Sequence, residues 1–196
     1  IYFGASGLAG VWAEENTRES IFRAFRNKET FATSGPRIKV RFFAGYDLEN
    51  YGLNDNDLIQ KAYSLNTPMG GDIYLNGNTG PTFLIWSVSD PFGGMLQRSQ
   101  IVKGWVENGE HNEKVYDVAC SDGLQVDPIT NRCPDNGAMV DLKDCSTTAD
   151  IGDSEQKVFW KDPDFNDSQN AFYYVRVLEN PSVSYTHLTL PTSYAV

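Results

Sequence analysis

Apolar residues recur along this chain with two different periods, and the change between them falls near Gly35-Pro36. Before it, Ile21, Phe22, Ala24 and Phe25 fall at helical spacing, with Arg18, Arg23, Arg26 and Asn27 on the wet side. Thr17 or Asn16 supplies an N-cap oxygen, Glu19 stands where the helix dipole favours a negative charge, and Lys28 closes the last turn. The strand-like run Leu8-Ala9-Gly10-Val11-Trp12 is the natural cover for that apolar stripe. Strand, helix and then Phe31-Ala32-Thr33-Ser34-Gly35-Pro36 have the form of the last βα unit of a larger α/β body. After Pro36 the period drops to two: Ile38, Val40 and Phe42 alternate with Lys39 and Arg41, as in a half-buried strand.

Further strands are predicted at 82–88, 99–106, 114–119, 156–160 and 172–178. Asn108-Gly109 fits a type I′ hairpin between Trp105-Val106 and Val115-Tyr116. Asp90-Pro91-Phe92-Gly93-Gly94 and Asn76-Gly77-Asn78-Thr79-Gly80 are further breakers. Residues 47–66 read as a polar insertion with a short helix at 56–65, and residues 120–150 as a second long loop. Short punctuated strands with no second strong helix predict a mainly β chain. The expected layout is an antiparallel β-sandwich over residues 37–181, preceded by the end of an α/β body over residues 1–36.

Composition and charge narrow the function classes. The 196 residues carry 26 acidic against 16 basic side chains, a formal charge of −10. Such a surface repels phosphate backbones and anionic lipid, which argues against nucleic-acid and membrane-surface partners. No run approaches the roughly 18 apolar residues of a membrane span. The start at Ile1 has neither the basic stretch nor the apolar core of a signal peptide and reads as the interior of a longer chain. From Ser182 to Val196 no Asp, Glu, Lys or Arg occurs. The run Ser184-Tyr185-Thr186-His187-Leu188-Thr189-Leu190-Pro191-Thr192-Ser193 resembles translated sequencing-adapter read-through, so residues 182–196 are read as a non-native tail. The alternative is a Thr/Ser-rich edge strand.

Several chemical motifs are absent or incomplete. Cys120, Cys133 and Cys145 match neither zinc-ligand nor redox spacing. Asp122-Gly123, Pro128 and Asn131 let the intervening loop turn back, so Cys120 and Cys133 are expected to form a disulfide, which implies an oxidising compartment. The alternative is three unpaired buried thiols. Asp162, Asp164 and Asn166 begin like a calcium loop, but Asp167 and Tyr173 stand where Gly and Glu are needed, so Asx turns are expected instead. His111 lies beside the hairpin turn and reads as a solvent-exposed residue. Trp86, Trp105 and Trp160 lie on predicted strands and are read as core rather than as sugar-stacking platforms. What remains is Thr33-Ser34-Gly35-Pro36-Arg37: two hydroxyls and a guanidinium around a glycine, a set suited to an anion. Glu14 lies where a strand end meets a helix start. Thr33, Ser34, Arg37 and Glu14 are therefore the candidate substrate-facing residues, against the plainer reading of a connector.

Three blocks carry a family resemblance: residues 7–19, 29–37 and 171–181, supported by 98–105 and 114–121. Glu29-Thr30-Phe31-Ala32-Thr33-Ser34-Gly35-Pro36-Arg37 and Ala171-Phe172-Tyr173-Tyr174-Val175-Arg176-Val177-Leu178-Glu179-Asn180-Pro181 resemble the C-terminal part of the bacterial family catalogued as domain of unknown function 3604. The likeness runs over about residues 4–181. It implies an exported parent with an N-terminal PHP-like, metal-dependent hydrolase barrel of phosphoesterase type. The histidine and aspartate ligands of that barrel lie upstream of Ile1 and its divalent metal is of unstated identity. This fragment would then begin with the closing βα unit of the PHP-like α/β barrel over residues 1–36, hold no cofactor, be inactive alone, take the upstream barrel as its partner, and share with it a small anionic or ester substrate. Periplasmic or secreted location follows from the same resemblance. Relatives continue after Asn180-Pro181 with Cys and Arg-Trp, which implies a fourth cysteine as the partner of Cys145. The other readings are a non-catalytic β-sandwich binding or docking module, and a buttress for the barrel that exposes apolar surface when it stands alone.

Overall fold

A computed structural model of the chain describes residues 7–182, so residues 183–196 of the expected non-native tail, with His187, lie outside the described residues. The first elements are β1 (Leu8–Val11), α1 (Arg18–Arg26) and β2 (Thr30–Thr33). Thr17 caps α1: its Oγ1 accepts a hydrogen bond from Ser20 N at 3.3 Å, satisfying one of the N–H groups that a first turn leaves free. The helix ends in a Schellman turn, with Glu29 N donating to Ala24 O at 3.0 Å and Lys28 N to Phe25 O at 3.1 Å. Lys28 sits just past the helix at φ 60°, the left-handed position usually given to glycine.

Two features of this unit differ from expectation. β1 and β2 pair antiparallel with one another, Leu8 opposite Thr33 and Val11 opposite Thr30, whereas strands of successive βα units in a barrel lie parallel. The helix stripe is also rotated. Ser20 and Ala24 are its buried residues, while Phe22 and Phe25 are 63% and 52% exposed. A strand of four residues, itself half exposed, is too small to cover the whole apolar arc. Gly10 permits the close packing of the pair, since a Cβ there would stand 2.4 Å from the Phe31 ring.

After Pro36 come β3 (Lys39–Gly45), a 3-10 turn (Leu48–Asn50), α2 (Leu58–Leu65), β4 (Thr67–Pro68), β5 (Thr82–Val88), β6 (Leu96–Glu107), β7 (Glu110–Cys120), β8 (Glu155–Lys161) and β9 (Ala171–Glu179). They build two antiparallel sheets, ordered β4-β3-β5-β8 and β7-β6-β9. The chain is thus mainly β, and the strands read from the period-2 pattern are present, β6 and β7 extending further than expected. Asn108 and Gly109 both take positive φ, 53° and 82°, closing the β6–β7 hairpin as a type I′ turn.

Side chains from both sheets share one core. Val40, Phe83 and Ile85 of the first meet Ile101, Tyr116, Val118, Val175 and Val177 of the second. A buried polar thread crosses the same space: Ser87 Oγ lies 3.1 Å from Ser99 Oγ, which donates to Gln156 Oε1 at 2.8 Å. On the opposite face of the four-stranded sheet, Phe43 and Leu84 pack beneath Leu48, Leu58 and Ala62. The polar insertion therefore covers a second apolar layer, and α2 is a real helix whose buried Leu58 contributes on the order of 1.5–3 kcal/mol by leaving water.

Cys120 and Cys133 form a disulfide with Cα atoms 5.6 Å apart, and Cys145 is a free, exposed thiol. Asp117 sets the approach of the two half-cystines. Its side chain has no exposed surface and accepts from Cys133 N at 2.7 Å, Gln100 Nε2 at 2.5 Å and Arg98 Nη1 at 3.0 Å. Among the described residues no helix is long and apolar enough to cross a membrane. Replacing both Cys120 and Cys133 by serine frees the 13-residue separation between them in the unfolded chain. We expect a loss of about 3 kcal/mol in urea unfolding, with the same strand content by circular dichroism.

Candidate functional site

The four side chains singled out by the sequence do not gather at one point. Thr33 is buried, and its Oγ1 accepts from Leu8 N at 3.3 Å within the β1–β2 pair. Ser34 and Arg37 are exposed on the connector that follows β2. Glu14 is exposed beyond Val11, whereas Thr33 pairs with Leu8, so the register places them at opposite ends of the two-stranded ladder. His111 is exposed at the β6–β7 hairpin. Among the described residues no three His, Cys, Asp or Glu side chains come together as ligands for a metal ion. These residues thus offer no ligand set for the divalent metal that the family resemblance implies for a parent protein.

Arg37 nevertheless joins an acidic cluster through its backbone. Its N donates to Asp90 Oδ2 at 2.7 Å, and this bond, with a second from Phe92 N, holds the Asp90 carboxyl below its ordinary range. Gly93 turns the chain there: a Cβ on it would stand 3.1 Å from Asp90 Cβ, 3.2 Å from Pro36 Cβ and 3.3 Å from Glu179 Oε2. Glu179 is 5% exposed and its Oε2 has no hydrogen-bond partner. Burial raises the pKa of this carboxyl, Asp90 adding to the effect.

A second cluster has catalytic-looking residues locked together. Lys103 is buried, donating to Asp162 Oδ2 at 2.6 Å and to the Asp164 carbonyl at 2.7 Å. Tyr173 OH donates to Asp162 at 2.8 Å, Tyr116 OH to Asp164 at 2.6 Å, and Lys114 pairs with Asp164. Burial, then the adjoining carboxylates, push both phenols up, so they remain protonated donors. Asp164 N bonds Asp162 Oδ1 at 2.9 Å, the expected Asx turn. Each charge here is answered by another, leaving nothing poised for a ligand.

The open feature lies elsewhere, on the outer face of β3 and β5. Trp12, Lys39, Arg41, Ile59, Trp86 and Val88 line a groove of about 250 Å³. In the strand register Arg41 faces Trp86 and Lys39 faces Val88. α2 supplies Ile59, and Trp12 arrives from the first unit, tied by its Nε1 to Val40 O at 2.7 Å. The Arg41 guanidinium lies 3.7 Å from the centre of the Trp12 ring, a cation–π contact. A larger cleft of about 370 Å³ opens between the sheets beside Phe83 and Tyr173, with Lys28 and Asp72, of opposite charge, among its lining. Of the expected core tryptophans, Trp160 packs against the shared core and Trp86 against the second apolar layer while also lining the groove, whereas Trp105 is half-buried outside both. Trp86 is also half-buried. Its partners there, Trp12 and Arg41, stand 29 positions apart, and the sequence signalled only that Arg41 and Trp86 lie on half-buried strands.

A family model described as "Protein of unknown function (DUF3604)" matches residues 1–192. The chain belongs to that family. The matched span of this DUF3604 chain includes most of the segment expected to be non-native. No curated protein and no solved structure matches it.

Glu179 offers a direct pH test. Because its carboxyl holds a proton to higher pH folded than unfolded, its contribution is complete below the ordinary value of about 4.5 and is lost as pH rises through the folded value. Glu179→Gln is expected to raise the thermal midpoint near neutral pH, with the gain shrinking to nothing below about pH 4. Thermal melts across that range check it.

Proposed function

We propose that this chain is the C-terminal, non-catalytic part of an exported, metal-dependent hydrolase of phosphoesterase type, a β-sandwich carried beside an upstream PHP-like barrel. In such a parent the metal centre belongs to the barrel and activates water there. This chain's share is to seat the barrel and present the connector to a small anionic or ester substrate. The observation that carries the reading is the pair Phe22 and Phe25, over half exposed on one side of α1. Two phenylalanines on a helix face flanked by Arg18 and Arg26 suit burial against a preceding domain better than lasting exposure. The family resemblance supports the reaction class, and the Cys120–Cys133 disulfide supports a periplasmic or secreted location. Exposed Ser34 and Arg37 are the residues this reading turns toward the substrate.

The decisive experiment compares the chain with a parent extended upstream. In the parent, α1 amides should exchange hydrogen more slowly than in the chain alone. Phe22→Glu with Phe25→Glu should abolish that protection while leaving the melting temperature of the isolated chain unchanged or higher. With manganese or zinc added, the 196-residue chain should leave p-nitrophenyl phosphate intact, and turnover by it would end this reading. Arg37→Ala in the parent should lower turnover by about tenfold, the loss of one charge-assisted contact.

A second reading, a non-catalytic binding module, is favoured by one observation: the groove at Trp12 and Trp86 is open and carries charge of one sign.

A further inference from the structure

We propose that the groove between Trp12, Trp86 and α2 binds a small organic anion, a carboxylate carried on a ring with an apolar face. The assignment rests on the binding-module reading and names the ligand class for that site. The groove's six lining residues include two cations, two indoles and two aliphatic side chains, and no acid. That lining stands in a chain of formal charge −10, so its sign selects anions against the charge of the rest of the molecule.

Arg41 is set for such a partner. Its guanidinium is stacked on Trp12, and Nη1 donates to Tyr63 OH at 3.1 Å, whose own proton goes to Glu29 Oε2 at 3.0 Å. The cation is thereby fixed in place, and the Glu29 carboxylate reaches it through the Tyr63 hydroxyl. Among the described residues neither Arg41 nor Lys39 makes an ion pair within 4.0 Å. A guanidinium held this way has lost its conformational freedom before the ligand arrives and keeps donors for a planar acid group. The neighbouring cation is different: Lys157 stands 3.9 Å from the centre of the Trp86 ring but is paired with Glu155 at 3.2 Å. Glu155 also accepts from Trp86 Nε1 at 2.7 Å, fixing the indole. Ile59, Val88 and Trp86 are then the apolar walls. The volume of about 250 Å³ falls just below the span of drug-sized pockets, which limits the occupant to about one ring system and its acid group.

Two sources supply that chemistry, uronic-acid sugars and aryl carboxylates, and titration calorimetry on the whole chain separates them. The probes are trigalacturonate and 2-naphthoate, each paired with its uncharged counterpart, galactotriose and 2-naphthamide, and inorganic phosphate as the bare anion. We expect one of the two carboxylates to bind at least about tenfold more tightly than its neutral counterpart and than phosphate. Arg41→Gln should weaken it by about tenfold or more, and added salt should weaken it further. Lys39→Gln, at an exposed position, should weaken it by a smaller factor and leave the melting temperature nearly unchanged. Trp105→Phe, on the other sheet, should leave affinity unchanged. Failure of both carboxylates to bind at millimolar concentration overturns the proposal. So does equal binding of the neutral counterparts, which would keep a binding module but remove the anion. Indifference to Arg41→Gln and Lys39→Gln together also overturns it.

Discussion

One hydrogen bond joins the two parts of this molecule at the point on which its surface features depend. Trp12 Nε1 donates to the carbonyl of Val40 at 2.7 Å, on the side of β3 where β4 pairs only with Phe43 and Ala44. A strand carbonyl left bare beside an apolar core costs free energy comparable to a lost hydrogen bond, and the indole supplies the donor that a longer β4 would have given. The same contact brings Phe31 against the shared core and sets the Trp12 ring beneath Arg41. The groove is a by-product of how the first unit closes an open sheet edge.

The interior follows a different rule. Most of the charged and polar groups buried there come in closed sets: the Ser87–Ser99–Gln156 thread, Lys103 with Asp162 and Tyr173, and Asp117 beneath the disulfide loop. A charged group with its partner beside it tolerates burial, whereas the same group alone does not. Such sets fix strand register and loop path, and they give residues that look reactive in composition partners within the fold. Among the described residues the exceptions are the Asn66 amide, the Thr82 hydroxyl and Glu179, a buried carboxyl with one oxygen unanswered.

Outside the core, the proposals rest on two surfaces among the described residues: the phenylalanine face of α1 and the cationic groove. They call for different partners. An apolar helix face is satisfied by another folded surface, because its stabilisation scales with area and carries no direction. A rigid guanidinium among aromatic walls is satisfied by a small ligand whose geometry matches its donors. A domain that docks through one and binds through the other accommodates both without conflict.

Whatever rests on neighbours in the chain was legible from the sequence. Alternation and turn residues marked every strand of the two large sheets except the two-residue β4; Asn108-Gly109 gave the hairpin; Thr17 gave the helix cap; and the turn residues between Cys120 and Cys133 gave the disulfide. These depend on backbone preferences acting over a few residues. The tertiary structure alone decided that β2 turns back on β1, that Phe22 and Phe25 face outward, that a polar insertion roofs a second apolar layer, and that Trp12 and Arg41 stack. A helical period states that a face is apolar but not how much of it a four-residue strand can cover. Likewise, a tryptophan and an arginine 29 positions apart carry no mutual signal until sheet pairing has fixed which edge is open, because contact between them is settled by long-range closure and not by local preference.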